Sequence, residues 1–364
     1  MYSMPAKQKS VILVSKAAVA FLATLFVVVV GPGLLNIDDS QALADNWHKE
    51  HRWRHRQPRF CSKTAEAAFK ACQNEKKDDF WIAVGNCYNS AQEDQAECFQ
   101  DAIADYEDAK AECQDQLDAR KDLCDELGEA PYDPPIEEIH WVSINAANAN
   151  PYLPLVQGYK WVYKTSDEDG ITETNTDEVL TETKEIMGVE CIVVHDIVYD
   201  GDLDEESDDH EVIEDTYDYY AQDEDGNVWY FGEFSLSFEE ALPSMEGSWL
   251  YGVDGAKPGI VMPANPLPPG VRVGTLYRQE FALGDAEDWA KLESLDAEVI
   301  VSDHPEFSCA KATDTDPGDN CWGTAEGTPL EPDVIESKYY KPGIGTVLET
   351  TPDNERTELV EINF

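Results

Sequence analysis

The segment Gly188–Tyr199, GVECIVVHDIVY, decides the larger part of the fold. It is dense in β-branched side chains, which pack well on the pleated surface of a sheet. Alternating runs stand on both sides of it, at Tyr159–Tyr163 and Val228–Phe231, and the dipeptide Asp225-Gly226 is typical of a hairpin turn. Residues 151–364 are therefore predicted to form a mostly antiparallel sheet that is strongly curved, like a half-barrel.

Upstream of the sheet, six cysteines follow a regular spacing. Their gaps alternate between 11 and 15 residues, so that a unit of 26 residues repeats. Residues 61–128 contain no proline and are rich in Ala, Glu, Gln, Lys and Asp, a composition that predicts helices. The predicted fold class is α+β: a disulfide-stapled helical hairpin or stalk, a linker at 129–150, and the curved sheet. The six cysteines are Cys61, Cys72, Cys87, Cys98, Cys113 and Cys124.

The pairing of these cysteines is left open by the sequence. Two cysteines eleven residues apart on one helix are separated by roughly 16 Å, too far for a bond, so the bonds are predicted to join different helices. Two nested arrangements fit an antiparallel hairpin: Cys61–Cys98 with Cys72–Cys87, or Cys87–Cys124 with Cys98–Cys113. Either arrangement leaves two cysteines. Cys113 and Cys124 are predicted to remain for a second chain, which would give a disulfide-linked homo-oligomer.

Three cysteines and one short helix are predicted inside the β domain. Cys309 and Cys321 bracket a loop rich in Pro, Gly and Asp, and we expect them to bond. Cys191 lies in the central strand with no other cysteine near it in sequence, which predicts a buried free thiol. Residues 284–292 are the one stretch of this domain that is predicted to be helical.

Residues 1–44 are typical of an export signal. Lys7, Lys9 and Lys16 precede an apolar run, and Ala42-Leu43-Ala44 supplies the small residues that a signal peptidase reads. Cleavage is expected after Ala44, which predicts a periplasmic or extracellular protein, and an uncleaved membrane anchor is the alternative. Outside the cytoplasm, paired cysteines are the default expectation.

The charge of the chain excludes one class of partner. It has 75 acidic and 26 basic residues, a net charge of -49, so the acidic body is not expected to bind a nucleic-acid backbone. Hydrophobic residues make up 42% and aromatic residues 10% of the chain, enough for a sizeable core rather than disorder. Such acidity keeps a surface hydrated, as expected in a saline or calcium-rich habitat.

Residues 45–60 form a basic tail in front of this body. Its histidines are three and four residues apart, so a helix would place them on one face as a metal-binding stripe. The Trp and Arg residues of the tail can instead contact an anionic surface or lipid head groups. A tail held to the acidic body by charge alone is the third interpretation. The histidines are His48, His51 and His55, and the others are Trp47, Arg52, Trp53, Arg54 and Arg56.

One acidic loop has the ligand spacing of a calcium site. Asp200–Glu211 carries carboxylates at positions 1, 3, 5, 9 and 12 of twelve residues, as in an EF-hand loop. Glu205 replaces the glycine required at position 6 and the flanks predict strands, so a solvated hairpin tip is the alternative. Calcium is the one cofactor predicted, and the candidate ligands are Asp200, Asp202, Asp204 and Glu211.

The β domain resembles a known group of proteins. The segments Asn150–Tyr163, Tyr219–Gly232 and Tyr339–Glu349 look like those of uncharacterised exported bacterial proteins that couple a Cys-rich helical segment to a β domain. The β part is similar, more faintly, to half-barrels of the lipoprotein-localisation type. The resemblance implies an apolar ligand on a concave face and no catalytic residues. The aromatic residues expected on that face are Trp161, Tyr163, Tyr219, Trp229 and Phe231.

These features favour an exported, non-catalytic binding or structural protein. The sequence contains no serine-hydrolase, zinc-protease or phosphate-loop motif. The alternative is a secreted hydrolase that uses an inconspicuous Asp/Glu pair. Two converging carboxylates with a raised pKa in a deep cleft would favour this enzyme.

Overall fold

The computed structural model describes residues 59–364, except 169, 205–209, 240, 314 and 317. The predicted export signal and the basic tail up to residue 58, with its three histidines, lie outside the described residues. Residues 58–364 form one compact unit.

Two long helices open the described chain, α1 (Phe60–Tyr88) and α2 (Gln95–Leu127). The polar segment between them turns the chain back, and the Ser90 hydroxyl donates to the Cys87 carbonyl at the end of α1. Aromatic side chains pack between the helices, with Phe80 stacked on Tyr106 at a centroid distance of 4.8 Å. The helices form an antiparallel hairpin, as predicted.

Three nested disulfides join the two helices, and they differ from both predicted arrangements. Their partners are Cys61–Cys124, Cys72–Cys113 and Cys87–Cys98. Cys87 and Cys98 are eleven residues apart, but the helix is interrupted between them, so their Cα atoms approach to 5.6 Å. The expectation that two cysteines eleven residues apart share one helix and cannot bond is therefore wrong for Cys87 and Cys98, although each of the three bonds joins two different helices, as predicted. The prediction that Cys113 and Cys124 remain for a second chain is also wrong, because both are bonded within the chain.

Fifteen strands follow the helices in the described chain. They are β1 (Trp141–Val142), β2 (Lys160–Asp167), β3 (Gly170–Ile186), β4 (Val189–Asp200), β5 (Val212–Asp223), β6 (Val228–Ser237), β7 (Trp249–Leu250), β8 (Lys257–Met262), β9 (Leu276–Arg278), β10 (Glu280–Phe281), β11 (Trp289–Ser294), β12 (Trp322–Gly327), β13 (Ile335–Lys341), β14 (Gly345–Thr350) and β15 (Arg356–Asn363).

All fifteen strands belong to one antiparallel sheet, which is almost closed into a barrel. Its order is β10-β8-β6-β5-β4-β3-β2-β15-β14-β13-β12-β11-β9, with β1 added to β5 and β7 added to β6. The two end strands, β9 and β10, are separated in sequence by Gln279 alone, so both ends of the sheet meet there. Gly259 of β8 permits this approach, because a Cβ atom there would lie 2.5 Å from the Arg278 carbonyl oxygen.

The predicted α+β class and the curved antiparallel sheet are confirmed. The Cys309–Cys321 bond and the buried free thiol of Cys191 are also confirmed. The helix predicted at 284–292 is wrong. Burial alternates along β11, where Ala290 and Leu292 are buried and their neighbours are partly exposed, and this period of two is that of a strand.

The segment predicted as a linker covers the outer face of the sheet. It contains a 3-10 helix, Ile136–Glu138, and strand β1, which pairs with β5. Ile136 and Trp141 pack on the outer cluster of the sheet, against Trp229 and Phe231. At its start, Glu129 accepts a hydrogen bond from the Ser62 amide at 3.0 Å in the first turn of α1. The helical hairpin is thus attached to the sheet through this segment.

Candidate functional site

The five aromatic residues predicted for one concave face lie on both faces of the sheet. Trp161 and Tyr163 point inward and belong to the main core. Tyr219, Trp229 and Phe231 point outward and belong to the cluster beneath the linker segment. Since successive side chains of a strand point to opposite faces, the inward aromatic residues of β5 and β6 are instead Tyr220 and Tyr230. The five residues therefore do not form a single surface.

An apolar cavity lies where the helical hairpin meets the outer face of the sheet. Its volume is about 520 Å³. α1, α2, the linker segment and the sheet all contribute to its wall, and the Cys61–Cys124 disulfide is part of it. Of the five predicted aromatic residues, Trp229 lines this cavity. Its apolar lining residues include Phe60, Ala65, Leu127, Ile260, Leu276 and Phe281.

The side chain of Arg120 brings a positive charge to this wall. It is 5% exposed and lies on α2. Its Nε and Nη2 atoms donate to the carboxylate of Glu287 at 3.0 Å and 2.6 Å. Its Nη1 atom is buried and has no acceptor among the described residues. An unpaired buried donor costs about 1–3 kcal/mol, so this atom favours an acceptor from a ligand.

A second arginine lines the same cavity. The Arg278 guanidinium lies 4.7 Å from the ring centroid of Phe281 and 5.6 Å from that of Tyr132, both within cation–π range. Its Nη1 atom is also buried without an acceptor, and no ion pair to it occurs among the described residues. Burial lowers the pKa of Arg278, but the guanidinium stays charged at neutral pH.

These two arginines were not predicted from the sequence. Arg120 and its partner Glu287 are 167 residues apart, and no local pattern joins them. The resulting site is an apolar cavity with unsatisfied guanidinium donors in its wall, which is suited to a molecule with an apolar body and an anionic head group.

A second cavity lies inside the sheet, on its other face. Its volume is about 310 Å³. Strands from both ends of the sheet line it, and most of its polar lining consists of carboxyl and phenol groups. The predicted residue Tyr163 lines it. The lining carboxyl groups are those of Asp177, Asp196, Glu280, Asp288, Glu326 and Glu349.

Burial raises the pKa values of five of these inner carboxyl groups, those of Asp177, Asp196, Glu280, Asp288 and Glu349. Burial raises the pKa of Asp196 to about 6. It also raises the pKa of Glu233, which contacts the lining residue Tyr230, to about 7. Burial raises the pKa of Asp177 and of Glu280 well above the usual range of a carboxyl group. Asp177 and Asp196 face each other across β3 and β4, and the neighbouring carboxyl group of Asp196 raises the pKa of Asp177 further.

Two of the four predicted calcium ligands form ion pairs with a lysine. The Lys164 ammonium lies 2.7 Å from Asp202 and 2.5 Å from Asp204, and hydrogen bonding to Lys164 lowers the pKa of Asp202. Asp200 and Glu211 are joined through their backbones at 2.9 Å. Residues 205–209 of the loop lie outside the described residues, and the described part of the chain holds no group of three metal-ligating side chains. Calcium binding therefore stays a prediction.

Comparisons with known proteins show no family for this chain. No family model matches it, and no curated protein matches it. It is similar to a candidate lipoprotein from Parabacteroides distasonis, with 14% identity over 59% of this chain and 99% of that chain, at a TM-score of 0.33. It is also similar to a candidate exported protein with a YmcC-like fold from Bacteroides fragilis, with 14% identity over 59% of this chain and 100% of that chain, at a TM-score of 0.30. Among the described residues, no helix is long and apolar enough to cross a membrane.

Proposed function

We propose that the protein is an exported, non-catalytic binding protein whose outer cavity holds an amphiphile with an anionic head group. The observation that carries this proposal is the buried Nη1 atom of Arg120, a residue that lines an otherwise apolar cavity, because this atom has no acceptor among the described residues. A carboxylate or phosphate oxygen would satisfy it with a charge-assisted hydrogen bond. The apolar wall would take up the acyl or alkyl chain of the same molecule.

The size and the stability of the site support this function. A volume of about 520 Å³ falls within the range of small-molecule sites, about 300–1,000 Å³. The wall is held by the Cys61–Cys124 disulfide and by the bidentate pair of Arg120 and Glu287. Such a preformed cavity loses little entropy when a ligand enters it.

Export is supported by the disulfides and by the signal-like N-terminus. Four disulfides in one chain are typical of proteins outside the cytoplasm, where thiols are not kept reduced. The first 44 residues have the pattern of a cleaved signal. A periplasmic or extracellular carrier of an amphiphile is consistent with both features.

One observation favours the hydrolase alternative, namely the paired carboxyl groups of Asp177 and Asp196 with raised pKa values. The two carboxyl groups lie opposite each other on β3 and β4 and are close enough for each to affect the pKa of the other, whereas glycoside hydrolysis needs carboxyl groups at least about 5 Å apart. The pair therefore does not fit that reaction, and we favour binding over hydrolysis.

A titration with three ligands of equal chain length tests the proposal. Dodecanoate, dodecanol and dodecyltrimethylammonium differ only in the head group, and each is added below its micelle concentration to the delipidated protein. We expect dodecanoate to bind most tightly, because one charge-assisted hydrogen bond contributes about 1.5–3 kcal/mol, a factor of about ten to a hundred. If dodecanol binds as tightly as dodecanoate, the guanidinium role is wrong, and if none of the three binds, the function is wrong.

Variants locate the bound head group. Arg120→Lys keeps the positive charge but lacks the planar guanidinium group, and Arg278→Gln removes the second positive charge. Both variants should therefore bind dodecanoate more weakly and bind dodecanol with unchanged affinity. Lys121→Gln is the matched control, because Lys121 is next to Arg120 on α2, is 41% exposed and pairs with Asp118 on the surface. Equal loss of dodecanoate affinity in Lys121→Gln would indicate a nonspecific charge effect.

A further inference from the structure

The inner cavity contains many more carboxyl groups than cations. Six carboxyl side chains line it, and Lys338 is the one cationic residue in its described lining. The Lys338 ammonium lies 3.2 Å from Glu349, 3.5 Å from Glu336 and 3.7 Å from Glu326. Its positive charge therefore compensates the carboxyl groups on one side of the cavity. On the other side, Asp177, Asp196 and Glu280 have no ion-pair partner among the described residues.

Several acceptors on that side also lack a hydrogen-bond donor. Glu280 is 5% exposed and lines the cavity, and its Oε2 atom has no partner within the part of the chain that the structure describes. The indole N–H of Trp249 is near this carboxyl group but does not reach hydrogen-bond geometry, so both atoms stay unpaired. The Oδ1 atoms of Asn175, Asp177 and Asp196 are likewise buried without a donor. The lining residues therefore carry unpaired hydrogen-bond acceptors, and a ligand with hydrogen-bond donors would complement them.

The aromatic part of the wall favours a positively charged donor. Tyr220 and Tyr230 line the cavity, and their rings stack at a centroid distance of 4.7 Å. Ring faces attract cations through their quadrupole, most strongly where water is excluded. The hydroxyl oxygen of Tyr230 lies 2.5 Å from a carboxyl oxygen of Asp218 and 3.0 Å from one of Glu233, so its hydrogen-bond partners are carboxyl groups outside the lining.

Two charged residues of the lining have accessible side-chain surface. Lys338 and Glu349 lie deep inside the sheet, yet 27% and 24% of their side-chain surfaces are accessible. Both residues line the cavity. A volume of about 310 Å³ is at the lower end of the small-molecule range, which limits the ligand to a short chain.

We propose that the inner cavity binds a linear alkyl diamine, with one ammonium group at the Asp177–Asp196 pair and the other at Glu280. The raised pKa values of these carboxyl groups are consistent with this ligand, because without a cation their charged forms are poorly stabilised. This site is separate from the amphiphile cavity, which lies on the other face of the sheet, and the two can be tested independently.

Calorimetric titration of the full chain with 1,4-diaminobutane tests the proposal. 1,4-Butanediol has the same length and hydrogen-bond donors without the charge, and sodium chloride at equal ionic strength controls for screening of the acidic surface. We expect the diamine to bind with one-to-one stoichiometry and to raise the melting temperature, and the diol to do neither. Equal effects of the diamine and of sodium chloride, or no saturable binding of the diamine, would overturn the proposal.

Two variants and a matched control place the diamine in this cavity. Glu280→Gln and Asp177→Asn each replace a carboxyl group by an amide of the same shape. Each variant should lower the affinity for the diamine at least tenfold. Glu178→Gln is the control, because Glu178 is the exposed neighbour of Asp177 and points to the opposite face of β3. Circular dichroism checks the fold of each variant. If both cavity variants bind like Glu178→Gln, the diamine is elsewhere and the proposal is wrong.

Discussion

The ion pair of Arg120 and Glu287 gives the sharpest prediction about stability. The variant Glu287→Gln removes the charge that compensates Arg120, where the two side chains are 6% and 2% exposed. Glu287 accepts hydrogen bonds from Arg120 and also from the Gly284 amide at 3.0 Å. Because an uncompensated charge would remain buried, we expect a loss of about 3–5 kcal/mol in the free energy of unfolding.

Thermal unfolding measures this loss. At about 2 °C for each kcal/mol in a large domain, the melting temperature should fall by about 6–10 °C. Asp118→Asn is the control, because Asp118 forms an exposed pair with Lys121 on the same helix, and it should leave the melting temperature unchanged. The double variant Arg120→Met with Glu287→Leu should recover most of the loss, since it leaves no charge unpaired. If Glu287→Gln behaves like Asp118→Asn, the helical hairpin is not docked on the sheet as described.

Three further predictions follow from buried or charged groups. Because burial raises the folded-state pKa of Asp196 to about 6 and of Glu233 to about 7, the folded state binds more protons than the unfolded state above about pH 4. Stability should therefore fall as the pH rises from 5 to 8, and Glu233→Gln should flatten this slope in calorimetry; a constant melting temperature would contradict the assignment. Burial raises the pKa of the Cys191 thiol to about 12, so a thiol reagent should label Cys191 only after unfolding, and rapid labelling of the native protein would show that it is accessible. If the Asp200–Glu211 loop binds calcium, millimolar calcium should raise the melting temperature more than sodium chloride of equal ionic strength, and Asp202→Ala should remove the difference.

The cysteine spacing contains more information about the helical hairpin than its period alone. Each of the three bonded pairs is symmetric about residues 92–93, which lie in the turn between α1 and α2. A symmetric spacing is what a nested antiparallel hairpin requires, because residues at equal distances from the turn face each other. The sequence therefore determined the helices and permitted this pairing, but the position of the turn was needed to select it.

The alternation of side chains along a strand also indicates in the sequence which carboxyl groups point into the sheet. Ile192, Val194 and Asp196 alternate along β4, and the first two belong to the inner core. A carboxyl group that shares the parity of core residues must lie inside the sheet. That parity identifies Asp196 as an inward residue, but only closure of the sheet shows that carboxyl groups from strands far apart in sequence surround one cavity.

What the sequence determined by itself is the local structure, because helix composition and strand alternation depend on neighbours in the chain. It determined the two helices, the antiparallel sheet, the Cys309–Cys321 bond and the buried Cys191 thiol. The tertiary structure alone decided which face each aromatic residue occupies, how the sheet closes, and that Arg120 meets Glu287. These depend on the registers of many strands and on the docking of the hairpin, which are set by contacts between residues that are distant in sequence and carry no local pattern.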